Sequence, residues 1–117
     1  MNASRMRRCK TVSSFENPED TKLATLATST LARTGAKQAA ALRDSTGRTY
    51  VAINIASPSL SLDALDAVFT VAMASQISGV EAVVVVGEKP AKVGAIRENS
   101  PSATVFYLDN SGEASVL

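Results

Sequence analysis

Residues 49–86 read TYVAINIASPSLSLDALDAVFTVAMASQISGVEAVVVV and contain three segments with different hydrophobic periods. Apolar side chains alternate from Thr49 to Ile55, which predicts a strand whose two faces meet different surroundings. The residues from about Leu62 to Ile77 follow the period of a helix. The run from Val80 to Val86 ends in consecutive valines and does not alternate, as in a central strand covered on both faces. Strand, helix and strand together predict a βαβ unit with a right-handed crossover.

The regions on either side complete the sheet. Before the unit, a helix over residues 17–33 is predicted because Asn17 can cap it and Pro18 fits its first position. A hairpin follows, with a strand at residues 37–43 and a turn at residues 43–48. After the unit we expect a weak helix, a strand and a short edge strand, at residues 91–99, 104–108 and 113–117. The order α-β-β-α-β-α-β predicts a mixed sheet with helices on both faces, a three-layer α/β/α sandwich.

The helix predicted at residues 62–77 is apolar around most of its circumference. Ser59 or Ser61 is the expected N-cap. The apolar stripe reaches Met73, and Val71 widens it. A helix this apolar is predicted to pack both on the sheet and against another subunit.

Composition limits the class of protein. A chain of 117 residues with 45% hydrophobic and only 4% aromatic residues fits one domain with a core of Ala, Val, Leu and Ile. We place that domain at residues 17–117. Residues 1–16 are basic and lack a period, so we expect a disordered tail there. With 12 basic and 11 acidic residues, the chain gives no electrostatic case for nucleic acid as a partner.

The sequence also argues against a membrane or secreted location. No apolar run reaches the length of about 18 residues that a membrane span needs. The basic start is followed by polar residues 11–14, which predicts that no secretory signal is present. One cysteine and no histidine exclude an internal disulfide and indicate a reducing cytoplasm.

The order of the elements is itself informative. A helix precedes a hairpin with the turn Asp44-Ser45-Thr46-Gly47-Arg48 and a strand that ends Val51-Ala52-Ile53-Asn54-Ile55. A serine-rich loop, a helix and a strand of valines follow. This succession, over residues 18–117, resembles the small cytidine deaminase family. The resemblance implies a zinc enzyme in which a strand-end Asn-x-Glu reads the ribose. Cys-Ala-Glu or His-Ala-Glu at the next helix start, and Pro-Cys-x-x-Cys at the following one, supply the ligands and the proton-moving glutamate.

The sequence keeps only part of the first two motifs that the resemblance implies. Asn54 matches the ribose-reading asparagine, but Ala56 stands where the glutamate is expected. At the helix start the spacing allows Leu65-Asp66-Ala67 or, with one residue deleted, Ala64-Leu65-Asp66. The first register loses both ligand and acid. The second has alanine for the ligand and Asp66 as a shortened acid.

The third motif is lost more clearly. Pro90-Ala91-Lys92-Val93-Gly94 falls on Pro-Cys-x-x-Cys, with Ala91 and Gly94 in place of both cysteines. The deaminase reaction needs a zinc-bound water and a proton-moving carboxylate, and zinc sites use Cys, His or carboxylate ligands. We therefore expect no metal, no cofactor and no deaminase chemistry. Without histidine, Ser-His-Asp and Cys-His catalysis is excluded too.

Two functions remain open at this point. The first is a catalytically inactive protein that forms a dimer or tetramer and acts as a structural or protein-interaction module. The second is a sensor that binds a nucleoside or nucleotide through Asn54, in space left by the small residues Ala56, Ala64, Ala91 and Gly94. An asparagine at a strand end can instead satisfy loop backbone groups.

Overall fold

The computed structural model describes residues 15–90 and 92–117, so residues 1–14 of the tail predicted at residues 1–16 lie outside it, as does the candidate site residue Ala91. Its helices are α1 (Pro18–Thr34), α2 (Ala64–Ala74) and α3 (Gly94–Asn99). Its strands are β1 (Gln38–Asp44), β2 (Thr49–Ile53), β3 (Ile55–Ala56), β4 (Ser61–Leu62), β5 (Val80–Gly87), β6 (Thr104–Leu108) and β7 (Ala114–Val116). Helix α3 begins later, and β2 ends earlier, than the sequence predicts. None of the described helices has the length and apolarity to cross a membrane.

The main sheet of the described chain is mixed, with the strand order β2-β1-β5-β6-β7. Strand β1 is antiparallel to both β2 and β5, β5 and β6 are parallel, and β6 and β7 are antiparallel. Strands β2 and β5 therefore run in the same direction, as in the predicted βαβ unit, with β1 inserted between them. The mixed sheet predicted from the order of elements is confirmed.

Strand β1 explains how the sheet is covered on both faces, because all of its residues are buried. Ala40 and Leu42 belong to the core under α2, with α2 residues Leu65, Val68 and Ala72. Ala39 and Ala41 belong to the core on the opposite face, with α1 residues Leu23, Ala24 and Ala27. Alanines on facing surfaces let a helix approach the sheet closely while the interior stays densely packed. The three-layer α/β/α prediction is confirmed.

Helix α1 is bounded by a capping interaction at each end. Asn17 Oδ1 accepts a hydrogen bond from the N–H of Glu19 at 2.9 Å, and Pro18 occupies the first helical position. At the other end Gly35, with a φ of 67°, donates its N–H to the carbonyl oxygen of Leu31. The predicted start of this helix is confirmed, since its cap and its proline act as expected.

Two side chains that the sequence places wholly or partly in irregular segments are buried. Phe15, assigned to the tail, contacts the ring of Phe106 edge-on with centroids 4.9 Å apart. Arg43, shared by the predicted first strand and the predicted turn, lies in β1, with Nη2 2.9 Å from Asp20 Oδ1 and Nε hydrogen-bonded to Glu81. The strand prediction for Arg43 is therefore the correct one, and carboxylates on α1 and β5 pair its guanidinium and allow it to be buried.

Helix α2 begins later than predicted because Asp63, rather than Ser59 or Ser61, caps it. Asp63 Oδ1 accepts the N–H of Asp66 at 2.8 Å. Ser61 instead lies in β4, which pairs with β3. The helix also ends earlier than predicted, since Gln76 has a φ of 62° and has left the helical region.

The predicted apolar stripe of α2 is only partly covered within one subunit. Its sheet-facing side is buried, through Ala64, Leu65, Ala67, Val68 and Ala72. Met73 and Val71 are 41% and 43% exposed, so the chain by itself leaves this part of the stripe uncovered. The sheet is wide enough to cover one side of this helix, and the opposite side faces outward.

The turns that follow β1 and β6 have the same pattern of hydrogen bonds to an aspartate side chain. Asp44 Oδ1 accepts hydrogen bonds from the N–H groups of Thr46 and Arg48, at 2.9 and 3.0 Å. Asp109 Oδ1 accepts the same two bonds from the residues two and four places later, at 3.0 and 2.9 Å. Each aspartate thus satisfies the backbone donors of its own turn.

Asp44 is the more buried of these two aspartates. Burial alone would raise the pKa of its carboxyl group, but hydrogen bonds from the Thr46 hydroxyl, the Arg48 N–H and the Tyr50 hydroxyl outweigh burial and hold the pKa below its usual value. The ionised carboxylate therefore stabilises the folded state. This contribution is present above about pH 4, where an unfolded aspartate titrates, and is lost as the pH falls through the lower folded value.

We expect Asp44→Asn to lower the free energy of unfolding at neutral pH by about 1 to 2 kcal/mol, because charge-assisted hydrogen bonds are lost. The deficit should shrink below about pH 4. Urea unfolding of both proteins at neutral pH and at about pH 3 measures it, with Glu98→Gln on exposed α3 as the control. A deficit of equal size at both pH values would contradict a role for the charge.

Candidate functional site

Asn54 interrupts the strand that was predicted to continue to Ile55. Its N–H donates to the carbonyl oxygen of Gln38 at 3.2 Å, and its Oδ1 accepts from the N–H of Gln38 at 3.1 Å. The predicted strand end is wrong because these bonds turn the chain out of the sheet after Ile53, into the hairpin formed by β3 and β4. The Asn54 side chain thus satisfies a backbone group, which is the structural role that the sequence left open for it.

The side chain of Gln38 lies at the centre of this region and is 3% exposed. Its Oε1 accepts the N–H of Ala64 at 2.6 Å, and its Nε2 donates to the carbonyl oxygen of Glu88 at 2.7 Å. It therefore connects the start of β1 with the start of α2 and with the segment after β5. Sequence reasoning missed Gln38, although an amide at the head of an alanine-rich strand is a recognisable signal.

Gly87 brings the end of β5 against the residue before β1. It has a φ of 92°, and a Cβ atom added there would lie 2.3 Å from the carbonyl oxygen of Lys37. The N–H of Glu88 donates to the same oxygen at 3.1 Å, and the Tyr107 hydroxyl donates to the carbonyl oxygen of Gly87 at 2.6 Å. Glycine is required at this position by both its backbone conformation and the close approach.

Four of the predicted site residues line two open clefts on either side of the α2 start. The first has a volume of about 330 Å³ and brings Asp66 together with Gly94. Leu62, Phe69 and Lys92 also line this cleft. Its wall is mainly apolar with one carboxyl and one amino group, a composition that suits a small ligand with an apolar face.

The second cleft has a volume of about 320 Å³ and brings Asn54 together with Ala56. Lys37 and Lys89 flank it, and Leu62 borders both clefts. Residues predicted for one site are therefore divided between two adjoining surfaces. Of the small side chains expected to leave a cavity, Ala56 and Gly94 therefore line different clefts.

Asp66 brings a carboxyl group to the first cleft. Burial raises the pKa of this group, the neighbouring Asp63 carboxylate raises it further, and Lys92 opposes both effects. Such a carboxyl holds its proton more readily than an ordinary aspartate. Deamination also needs an activated water molecule, which a carboxyl group does not supply by itself.

The resemblance to the deaminases implies a zinc ion, and the residues at its ligand positions do not fit one. Ala64 and Leu65, the two candidates at the helix start, are buried in the core and carry no donor atom. Gly94 has no side chain, and the methyl group of Ala91 is no ligand either. In the part of the chain that the structure describes, no three His, Cys, Asp or Glu side chains come together as a metal site.

The fold and the comparisons together define the class of protein. A mixed sheet between α1 on one face and α2 with α3 on the other is an α/β/α sandwich. A family model described as "Cytidine deaminase-like" matches residues 16–112. The chain therefore belongs to the cytidine deaminase-like family, which confirms the family predicted from the sequence.

Solved structures show the same fold. The chain is similar to the cytidine deaminase from Burkholderia pseudomallei, with a TM-score of 0.65 and 23% identity over 82% of this chain and 89% of that one. It is also similar to the cytidine deaminase from Mycobacterium leprae, with a TM-score of 0.61 and 14% identity over 81% of this chain and 90% of that one. Comparison with curated protein sequences returned no match.

We expect Gly87→Ala to lower the free energy of unfolding by at least about 2 kcal/mol, because it adds a left-handed penalty to a backbone clash. Gly94→Ala is the matched control, since a Cβ there meets nothing within 4 Å. Urea unfolding of both variants measures the difference. Equal stability of the two variants would contradict the close approach of β5 to β1.

Proposed function

We propose that this chain is a cytidine deaminase-like protein without deaminase activity, which acts as an oligomeric structural or protein-interaction module. The observation that supports the proposal is the set of side chains at the former ligand positions. Ala64 or Leu65, together with Ala91 and Gly94, offers zinc no donor atom. Without zinc there is no activated water to attack the base, and Asp66 has no nucleophile to serve.

The outward surfaces around α2 support the interaction role. Large apolar side chains are more than a third exposed on the β3–β4 hairpin and on α2, namely Ile55, Leu60, Val71 and Met73. Apolar side chains concentrated on neighbouring elements are typical of an interaction surface. We propose that they contribute to a homodimer or homotetramer in the cytoplasm, where the single cysteine would stay reduced.

The activity assay tests the first half of this proposal. The purified chain with one equivalent of zinc is expected to release no ammonia from cytidine above the rate without protein, because no water is activated. The Burkholderia pseudomallei cytidine deaminase, measured under the same conditions, is the positive control. Ammonia release that rises with the amount of bound zinc would overturn the proposal.

Light scattering tests whether the chain forms the proposed oligomer. We expect the native chain to have the mass of a dimer or tetramer, and Met73→Lys to shift it to a smaller species, since a charge would be buried in the interface. Thr25→Lys, at an exposed position on α1, is the matched control and should leave the mass unchanged. A monomeric native chain would contradict the oligomer.

A nucleoside or nucleotide sensor is the second candidate function, favoured by the cleft beside Asn54. That cleft carries two lysines, Lys37 and Lys89, which suit a phosphate group. Against this second candidate, the side-chain Oδ1 of Asn54 already accepts a hydrogen bond from the N–H of Gln38. A thermal shift with cytidine or its phosphates that disappears in Asn54→Asp, which retains the acceptor oxygen, would favour the sensor.

A further inference from the structure

Gln38 joins the two segments that carry the ligand positions of the deaminase motifs. Its Oε1 bonds to the N–H of Ala64, the first residue of α2, at 2.6 Å. Its Nε2 bonds to the carbonyl oxygen of Glu88 at 2.7 Å, in the segment that leads to Gly94. In the resembled family the ligands from these same two helix starts would meet on one zinc ion.

The chemistry of a primary amide suits this junction. The N–H of Ala64 is one of the free donors of a helix start and has no acceptor within its own helix. The carbonyl oxygen of Glu88 needs a donor. A single side chain that meets both needs must carry a donor and an acceptor a short distance apart. Among uncharged side chains, the glutamine and asparagine amides and the neutral imidazole do so with separate atoms, and this chain has no histidine.

The backbone around Gln38 holds this amide in place. Asn54 bonds to both the N–H and the carbonyl oxygen of Gln38. The preceding residue, Lys37, accepts the N–H of Glu88 and lies against Gly87. Because these bonds already fix the backbone of Gln38, only side-chain rotamer entropy is lost when its amide bonds to two partners.

We propose that Gln38 takes the place of a metal cross-link, joining the start of α2 to the β5–α3 segment so that this domain folds without zinc. This inference rests on the proposed function, because it applies to a chain whose former ligand positions bind no metal. Gln38 is a positioning residue of the scaffold rather than a catalytic residue. The structure gives it two partners, and each can be removed separately.

Amide hydrogen exchange of the full chain tests the proposal. In Gln38→Met, which keeps the length but neither bond, the Ala64 amide should exchange up to about tenfold faster, as the loss of one ordinary hydrogen bond implies. The Glu88 amide should also exchange faster as its segment loosens. Gln38→Glu retains an acceptor for the N–H of Ala64. It should therefore accelerate hydrogen exchange at the Glu88 amide more than at the Ala64 amide. This second variant keeps the test valid if Gln38→Met does not fold.

Ser100→Ala is the matched control, because the Ser100 Oγ atom is a buried acceptor for the N–H of Val80 at 2.9 Å. This variant should accelerate hydrogen exchange at the Val80 amide and leave exchange at the Ala64 and Glu88 amides unchanged. Wild-type exchange at Ala64 in Gln38→Met, or at Glu88 in Gln38→Glu, would overturn the Gln38 proposal and leave the proposed function intact. Each protein is measured with chelator and with equimolar zinc. Slowing of exchange by zinc in the wild type would instead overturn the metal-free proposed function.

Discussion

The close backbone approach between Gly87 and Lys37 is the constraint around which this region of the molecule is arranged. A Cβ atom at Gly87 would lie 2.3 Å from the Lys37 carbonyl oxygen, so only glycine permits the contact. The contact places Glu88 beside β1, where the Gln38 amide reaches it and the first N–H of α2 together. Asn54 completes the arrangement by binding the Gln38 backbone. The region is therefore held by polar contacts of the chain itself.

The core of the family fold is kept here because Ala64 and Leu65, at the ligand position of the helix start, are apolar and packed within it. The two cores on either face of the sheet are built from alanines and valines of β1 and β5, packed against α1 and α2. Changes such as Ala56 and Gly94 fall on the surfaces of open clefts and remove no core contact. The fold can therefore form with the residues present at these positions, because a functional site is carried on a fold and is not required by it.

Most of the fold could be predicted because local hydrophobic periods determine its helices and strands. The hydrogen bonds of the Gln38 side chain could not be predicted, because its partners are distant in the chain. The valine strand and the Asn17 cap are local signals, and both were correct. The partners of Gln38 are 26 and 50 residues away, so no pattern around it identifies them. The N-cap of α2 was predicted wrongly because serine and aspartate are equally good caps. Ser61 is excluded only by its pairing in β4, which leaves Asp63 as the cap.

The metal content of the folded chain is the most direct test of the proposed function. Native mass spectrometry of the protein purified in the presence of zinc measures it together with the number of subunits. We predict a folded assembly of two or four chains whose mass equals that of the polypeptides alone. One zinc ion for each folded chain would contradict this prediction, because the start of α2 would then belong to a metal site.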